Sequence, residues 1–334
     1  MKKVTVFFAL GATVCLGFGT SAQAADTLKI LMPVWSGFAP VLVAKDLGYY
    51  KEQNLEVDAR FEDDLPTAFA AIDSGNIDMH MRTIGEYQNR PANIAKGGKI
   101  IGMIDQSVGG DGVVADGSIK TAADMKGKTL AQTPSLPAVL LLQLDLKKVG
   151  LSLKDLDMKL SEPGDAVATF SDTSIAAVAT SEPYLSQTIK QNPDRKAHLL
   201  SSSKDYPGYI VDVVIARDDD LATNPDKYRR FLVALYKSIS LYKTDPEKFI
   251  AIAAPHYNLS PEEFKNSITG TLAYVPLDEA ARFLGTPEEK GPMFGIFDTV
   301  MDANLESGVA SQKMSAAGSI DSSVIAKVSE ADLK

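Results

Sequence analysis

Residues 27–81 read TLKILMPVWSGFAPVLVAKDLGYYKEQNLEVDARFEDDLPTAFAAIDSGNIDMHM, and their hydrophobic period switches from one element type to the next. Residues 27–32 are an apolar run of strand length. Residues 33–40 interrupt it as a loop holding Trp35, Ser36 and Gly37. Val41, Leu42, Ala44 and Leu47 then recur at helical spacing until Gly48. Residues 55–61 alternate apolar and polar, as a half-buried strand does. Residues 67–72 predict a second helix stopped at Ser74-Gly75, and residues 77–81 alternate again. The order is β-α-β-α-β, with each connection long enough for a parallel crossover.

The pattern continues outward. Residues 99–104 predict a strand, followed by the glycine-rich loop Val108-Gly-Gly-Asp-Gly112 and the apolar residues 113–115. A second βα series starts at Thr121. Strands are predicted at 129–132, 157–160, 176–179 and 198–200, with a strongly apolar helix over 138–148. Residues 209–216 form a longer apolar strand. Beyond it every segment predicts helix: 225–243, 246–254, 261–271 and 293–308, with Pro225, Pro246 and Pro261 suited to first-turn positions. The tail after Ser311 is polar and small, and is expected to be loosely held. No repeat and no Pro/Ser-rich tether divides the chain, so two lobes of an α/β fold are expected in one compact unit.

The N-terminus predicts export. Lys2 and Lys3 precede an apolar stretch over 4–19, and Ala22-Gln23-Ala24 offers small residues for signal peptidase. Residues 1–24 read as a signal peptide cleaved after Ala24, with an apolar run too short for a stable membrane span. The only cysteine, Cys15, lies inside it. Val14 fits a lipoprotein signal poorly, so a soluble product is expected. The remaining chain of about 310 residues has no thiol, so its stability rests on its core. Losing Lys2 and Lys3 moves the net charge from −9 to −11. A chain this acidic, with no basic run, is unsuited to nucleic acid or anionic membranes.

Residues 35–57, WSGFAPVLVAKDLGYYKEQNLEV, resemble the opening of the nitrate/sulfonate/taurine-type periplasmic solute-binding proteins of ABC transporters. Asp73-Ser-Gly-Asn-Ile-Asp78 resembles that family's "ASG-ID" turn. Thr121-Ala-Ala-Asp-Met-Lys-Gly-Lys128 resembles its "DLKGK" entry to the second lobe, and Ala176-Ala-Val-Ala-Thr-Ser-Glu-Pro-Tyr184 its strand ending in "EP". The resemblance implies a type II periplasmic binding protein fold, two doubly wound α/β lobes joined by two hinge strands. Lobe 1 would comprise 25–111 and 211–334, and lobe 2 would comprise 112–210. The hinges would lie near Val113-Val114 and at 209–211, with closure around ligand. It further implies a periplasmic monomer that needs no cofactor: a binding protein, not an enzyme, that hands a small solute to a permease and ATPase complex at the inner membrane.

In doubly wound sheets ligands sit at the carboxyl ends of strands. That rule selects Trp35, Ser36, Gly37 and Phe38 after the first strand, Gly37 for close backbone approach and Trp35 for stacking, against simple packing at the lobe edge. Thr83 and Glu86 follow the third strand. The resemblance places a hydroxyl contact at Thr83, whereas Glu86 also suits an ordinary first-turn helix acid. Arg82 is expected to face solvent or pair with Glu86. Asp111 lies in a loop able to approach both lobes. Ser135 precedes the 138–148 helix, as ligand contact or N-cap. Asp165, Glu182 and Asp212 complete the set, Glu182 through the "EP" pair that the resemblance carries onto it.

This set holds five acids against one cation, Arg82. The balance suits a solute bearing an amine, guanidinium or quaternary ammonium group, such as a taurine-like zwitterion whose anionic end meets helix N-termini. A simple anion, alkyl sulfonate or nitrate, is the alternative, and would leave several acids unpaired. A biosynthetic enzyme on the same fold is a second class, but His80, His198 and His256 are far apart and no HExxH, GxSxG or P-loop spacing occurs. A ligand-loaded partner of a sensor would use the same cleft. Asp218-Asp219-Asp220 lacks the alternating spacing of a calcium loop, so no metal site is predicted.

Overall fold

The structure is a computed structural model that describes residues 1–2, 24–132 and 137–334. The predicted signal sequence from residue 3 to residue 23, with Cys15, and the candidate Ser135 lie outside the described residues. Eleven strands are described: β1 (Asp26–Met32), β2 (Leu55–Phe61), β3 (Met79–Thr83), β4 (Lys99–Ser107), β5 (Asp111–Ala115), β6 (Thr129–Gln132), β7 (Asp157–Leu160), β8 (Ala177–Ser181), β9 (His198–Ser202), β10 (Val211–Ala216) and β11 (Leu272–Tyr274).

They form two sheets of mixed α/β architecture, ordered β11-β4-β10-β3-β1-β2 and β7-β6-β8-β5-β9. In the first, β1 runs parallel to β2 and β3, while β10 lies antiparallel between β3 and β4. In the second, β6 runs parallel to β7 and β8, and β5 lies antiparallel between β8 and β9. Every residue of β3, β5 and β10 is buried, as expected of central strands covered on both faces. Helices Ala39–Asp46 and Pro225–Thr244 cover the first sheet, whose core includes Phe38, Phe69, Phe231 and Phe249. Pro137–Lys148 covers the second, with Val139, Leu142 and Leu146 facing Val113 and Leu130.

The chain crosses between the sheets twice. The resemblance puts one crossing at Val113-Val114, but both residues are paired inside β5. The crossing lies earlier, at Val108-Gly109-Gly110, where Val108 and Gly110 N–H groups both donate to the Thr271 carbonyl, each at 2.9 Å. Gly109 has φ 132°, a conformation that favours glycine, and an added Cβ would come within 2.6 Å of Lys204. The return passes from Ser203 to Ile210. The Ser107 and Ser203 hydroxyls meet at 2.9 Å, and Ser107 N–H donates to the Ile210 carbonyl at 3.0 Å. The two crossings are therefore strapped to each other.

Two expectations for the C-terminal block need correction. It is not wholly helical, because Leu272–Tyr274 pairs with β4 as an edge strand and Leu277–Leu284 forms a further helix. Three residues are too few to carry a period. The tail after Ser311 is not loosely held. Met314, Ile320, Val324 and Ile325 are buried in the first core, and Asp321 N–H donates to the Ile100 carbonyl at 2.8 Å. Its apolar residues are sparse, but each is inserted.

Two measurements test this packing. Ile325 is fully buried, so Ile325→Ala should destabilise the protein by about 2–5 kcal/mol in urea unfolding, where a loose tail predicts no change. His80, fully buried edge-on to Phe69, is pushed down from 6.5 to about 3, by burial first and the Arg82 charge second. Below pH 6.5 the unfolded chain takes a proton that the native histidine refuses, so stability falls with pH across that window. His80→Leu should lose about 1–3 kcal/mol less than the parent between pH 7 and pH 4.

Candidate functional site

The register of the first sheet aligns polar residues across four strands. On β10, Asp212 stands opposite Thr83 of β3 and Asp105 of β4, and Asp105 stands opposite Tyr274 of β11. The row Thr83–Asp212–Asp105–Tyr274 thus lies near the carboxyl ends of β3 and β4, where strand ends and loops meet. Asp105 is fully buried, and Asp212 and Asp111 are nearly so.

The loop after β1 folds over this row. Trp35 Nε1 donates to Asp105 Oδ1 at 3.4 Å. Gly37 packs so closely that a Cβ there would lie 2.1 Å from Asp105 Oδ2. The loop's backbone is held from the C-terminal block, with Tyr257 OH donating to the Trp35 carbonyl at 2.9 Å and Tyr274 OH to the Ser36 carbonyl at 2.7 Å. Ser36 Oγ lies 3.0 Å from Ser267 Oγ. Ser36 is thereby tied into the scaffold, and Phe38 is fully buried in the core with no surface for a ligand.

Thr83 is the N-cap of the helix Ile84–Gln88 and forms a reciprocal capping box with Glu86: Thr83 N–H and Oγ1 reach Glu86 Oε2 at 3.0 and 2.9 Å. Glu86 Oε1 lies 3.6 Å from Arg82 Nη1. Arg82 does not turn to solvent. It is buried, and Nη2 donates to the Glu62 carbonyl at 2.5 Å. Among the described residues, no lysine or arginine forms an ion pair with Asp105, Asp111 or Asp212.

Burial without a cation shifts these acids. Burial pushes Asp105 up to about 7, opposed by hydrogen bonds from Trp35 and Asp212 and aided by the Asp111 charge. Asp212 is raised well above the usual carboxylate range, by burial first, then by the charges of Asp105 and Glu86. Asp111 is pushed up to about 6 by burial, against the neighbouring Ser107 hydroxyl. Like charges this close, away from water, cannot all ionise. A proton held by one of Asp105 and Asp212 relieves the repulsion between them.

Glu86, Asp105, Asp111 and Asp212 therefore make one electrostatic cluster, reached by Trp35 and Gly37 through Asp105. Two candidates from the second lobe are arranged otherwise. Glu182 turns onto the first turn of the helix Tyr184–Gln191 that follows it, accepting from Ser186 N–H at 3.2 Å and from Ser186 Oγ at 2.5 Å. Asp165 is exposed at the start of Ala166–Ser171 and caps no N–H there.

A cavity of about 440 Å³ opens beside the row. It lies between Ile84–Gln88 and Met293–Ser307 on one side and Pro137–Lys148 on the other, with Thr83 common to cavity and row. Its volume falls within the ~300–1,000 Å³ of small-molecule sites. Asn89, Gln132, Gln143 and Asn304 add amides, and Lys154 an ammonium, to a wall that also carries apolar surface from Leu140, Leu156 and Met158. Asp105, Tyr257, Tyr274 and these four amides are not found by sequence reasoning. Asp105 alone left a signal, as an acid directly ending an apolar run of strand length.

A family model described as NMT1/THI5-like matches residues 35–249. A protein of Brucella abortus (strain 2308), named provisionally as a binding protein, is 26% identical over 260 residues, covering 76% of this chain and 78% of the relative. Among solved structures, the periplasmic aliphatic sulphonate-binding protein of Escherichia coli superposes with a TM-score of 0.70 at 18% identity, over 88% of this chain and 92% of that one. The periplasmic nitrate-binding protein of Synechocystis PCC 6803 superposes at 0.65 with 16% identity, over 92% and 87%. The shared architecture is the periplasmic binding protein fold.

The raised acids make stability pH-dependent with a definite sign. Between about pH 4 and about pH 7 the native pair holds protons that an unfolded chain has released. Stability therefore falls as pH rises through that window. Asp212→Asn supplies an amide donor to Asp105 and removes one repelling acid. The variant should be more stable than the parent by about 1–3 kcal/mol at pH 7.5. The gap should narrow toward pH 4 in urea unfolding, and a less stable variant at pH 7.5 would contradict the shared-proton arrangement.

Proposed function

The chain belongs to the NMT1/THI5-like family, and from that premise we propose that it is a periplasmic solute-binding protein without enzymatic turnover. It captures a small organic solute between two lobes and delivers it to the permease and ATPase complex of an ABC importer, acting as a monomer. Strand membership of the two sheets supports a division of this kind into a discontinuous first lobe and an inserted second lobe, with Asp111 already in the second sheet and the boundary therefore at 108–110 instead of after residue 111. The double crossing between them supports closure by hinge motion.

The observation that carries the ligand assignment is the cluster of Glu86, Asp105, Asp111 and Asp212 with Arg82 as its paired cation. The solute carries an ammonium or guanidinium group, as a taurine-like zwitterion does. Its arrival would let the acids ionise against a matched charge rather than against each other. Trp35 and Gly37 close over that end, with Thr83 at the edge of the cavity. A plain alkyl sulfonate or nitrate would bring further negative charge to buried acids, which argues against the ligands named for the two solved relatives above.

Thermal unfolding with added agmatine, putrescine, taurine, ethanesulfonate or nitrate tests the assignment. At a hundredfold excess over Kd, binding adds about 2.7 kcal/mol of stability, which is several degrees in Tm for a chain of this size. A cation-bearing probe should give such a rise, and Asp212→Asn should abolish it. A rise with ethanesulfonate or nitrate alone would overturn the reading.

A further inference from the structure

Beside the acid cluster, the cavity is lined by two side chains that each hold one buried polar atom without a hydrogen-bond partner. Gln132 ends β6, and Gln143 lies on the helix Pro137–Lys148. Both line the cavity, and they are only 9% and 8% exposed. Gln132 Oε1 and Gln143 Nε2 are buried with no hydrogen-bond partner. A buried polar atom without a partner carries its full desolvation penalty, so native proteins hold few of them. Two facing one cavity are a feature that packing does not explain.

The asparagines of the same wall, Asn89 and Asn304, both have partners. Asn304 Nδ2 donates to the Gly85 carbonyl at 3.2 Å and to Gln88 Oε1 at 3.0 Å, so it braces the cavity wall. Leu140, Leu156, Met158 and Ile210 supply apolar surface around the two free glutamine atoms. An apolar wall with a few converging polar groups is how small-molecule sites fix orientation.

We infer that Gln132 and Gln143 form a subsite for a neutral group presenting a hydrogen-bond donor and acceptor together, a primary carboxamide or its cyclic lactam equivalent. The apolar wall takes the carbon body of the same solute. Gln132 offers an acceptor oxygen and Gln143 a donor nitrogen, so the pair is complementary to a group that presents one of each. This inference rests on the solute-binding reading and extends it. The charged end of the solute meets the acids past Thr83, and its neutral end meets the glutamines.

Three probes separate the two ends, measured by calorimetry on the chain lacking residues 1–24. 4-(Aminomethyl)benzamide carries both groups, benzylamine only the ammonium, and benzamide only the carboxamide. The first should bind about tenfold more tightly than benzylamine, the ratio expected for one added buried hydrogen-bonding group. Gln132→Leu and Gln143→Leu should each bring those two probes to within about twofold. Both variants should keep or raise the unliganded Tm, since each removes an unpartnered amide, and that readout separates lost recognition from lost folding. Equal affinity for benzylamine and 4-(aminomethyl)benzamide overturns the carboxamide subsite and leaves the cation reading standing. Equal affinity for benzamide and 4-(aminomethyl)benzamide, lost in the glutamine variants, supports the subsite and overturns the cation reading. No measurable binding by any of the three overturns the subsite.

Discussion

Strand β10 lies antiparallel between β3 and β4, and most of the site depends on that one insertion. A strand returning from the second sheet into the middle of the first must register against two neighbours at once. Its register sets Asp212 level with Thr83 on one side and Asp105 on the other. A slip of one residue would turn Asp212 to the opposite face and break the row. The same strand fixes the crossing, because Ser107 N–H pairs with the Ile210 carbonyl directly before β10 begins.

Placing acids on fully covered central strands is unfavourable for folding alone. The structure limits the penalty with a hydrogen bond from Trp35 Nε1 to Asp105, a single arginine turned to Glu86, and acids held toward their protonated form by burial. What remains is a cluster poised to gain from a positive group. Functional sites commonly retain such local instability. The surrounding scaffold is correspondingly firm. Tyr257 and Tyr274 hold the carbonyls of the Trp35 loop, and both lie in the C-terminal block. That block packs on the first sheet down to Ile325, so the loop over the acids is braced from a segment more than two hundred residues away in sequence.

Legibility followed the range of the interactions. The helices Pro225–Thr244 and Pro246–Ala253, each with a proline at the first turn, agree with expectation to within a residue or two, whereas Pro261–Ile268 ends three residues early. Leu272–Tyr274 was hidden because a three-residue edge strand has no period to read. The tail misled because its polarity is high on average, while its few apolar residues are all inserted. At the site, Asp212, Thr83, Glu86, Asp111, Trp35 and Gly37 follow from the rule about strand ends, and the structure gathers them. Glu182 is directed to Ser186 instead, and Phe38 to the core.

The sequence by itself determined the alternation of strand and helix, the acidity of the chain and the loops that end its strands. Those are local properties, carried by period, composition and turn residues. Only the tertiary structure decided that Asp105 belongs with Asp212, that Tyr257 and Tyr274 hold the Trp35 loop, and that Gln132 and Gln143 share one cavity. Each of these pairings joins residues brought together by strand register or by helices from different sheets. A linear pattern carries no record of which residue will stand opposite, whereas the charge repulsion and unpaired amides that characterise the site arise only from that opposition.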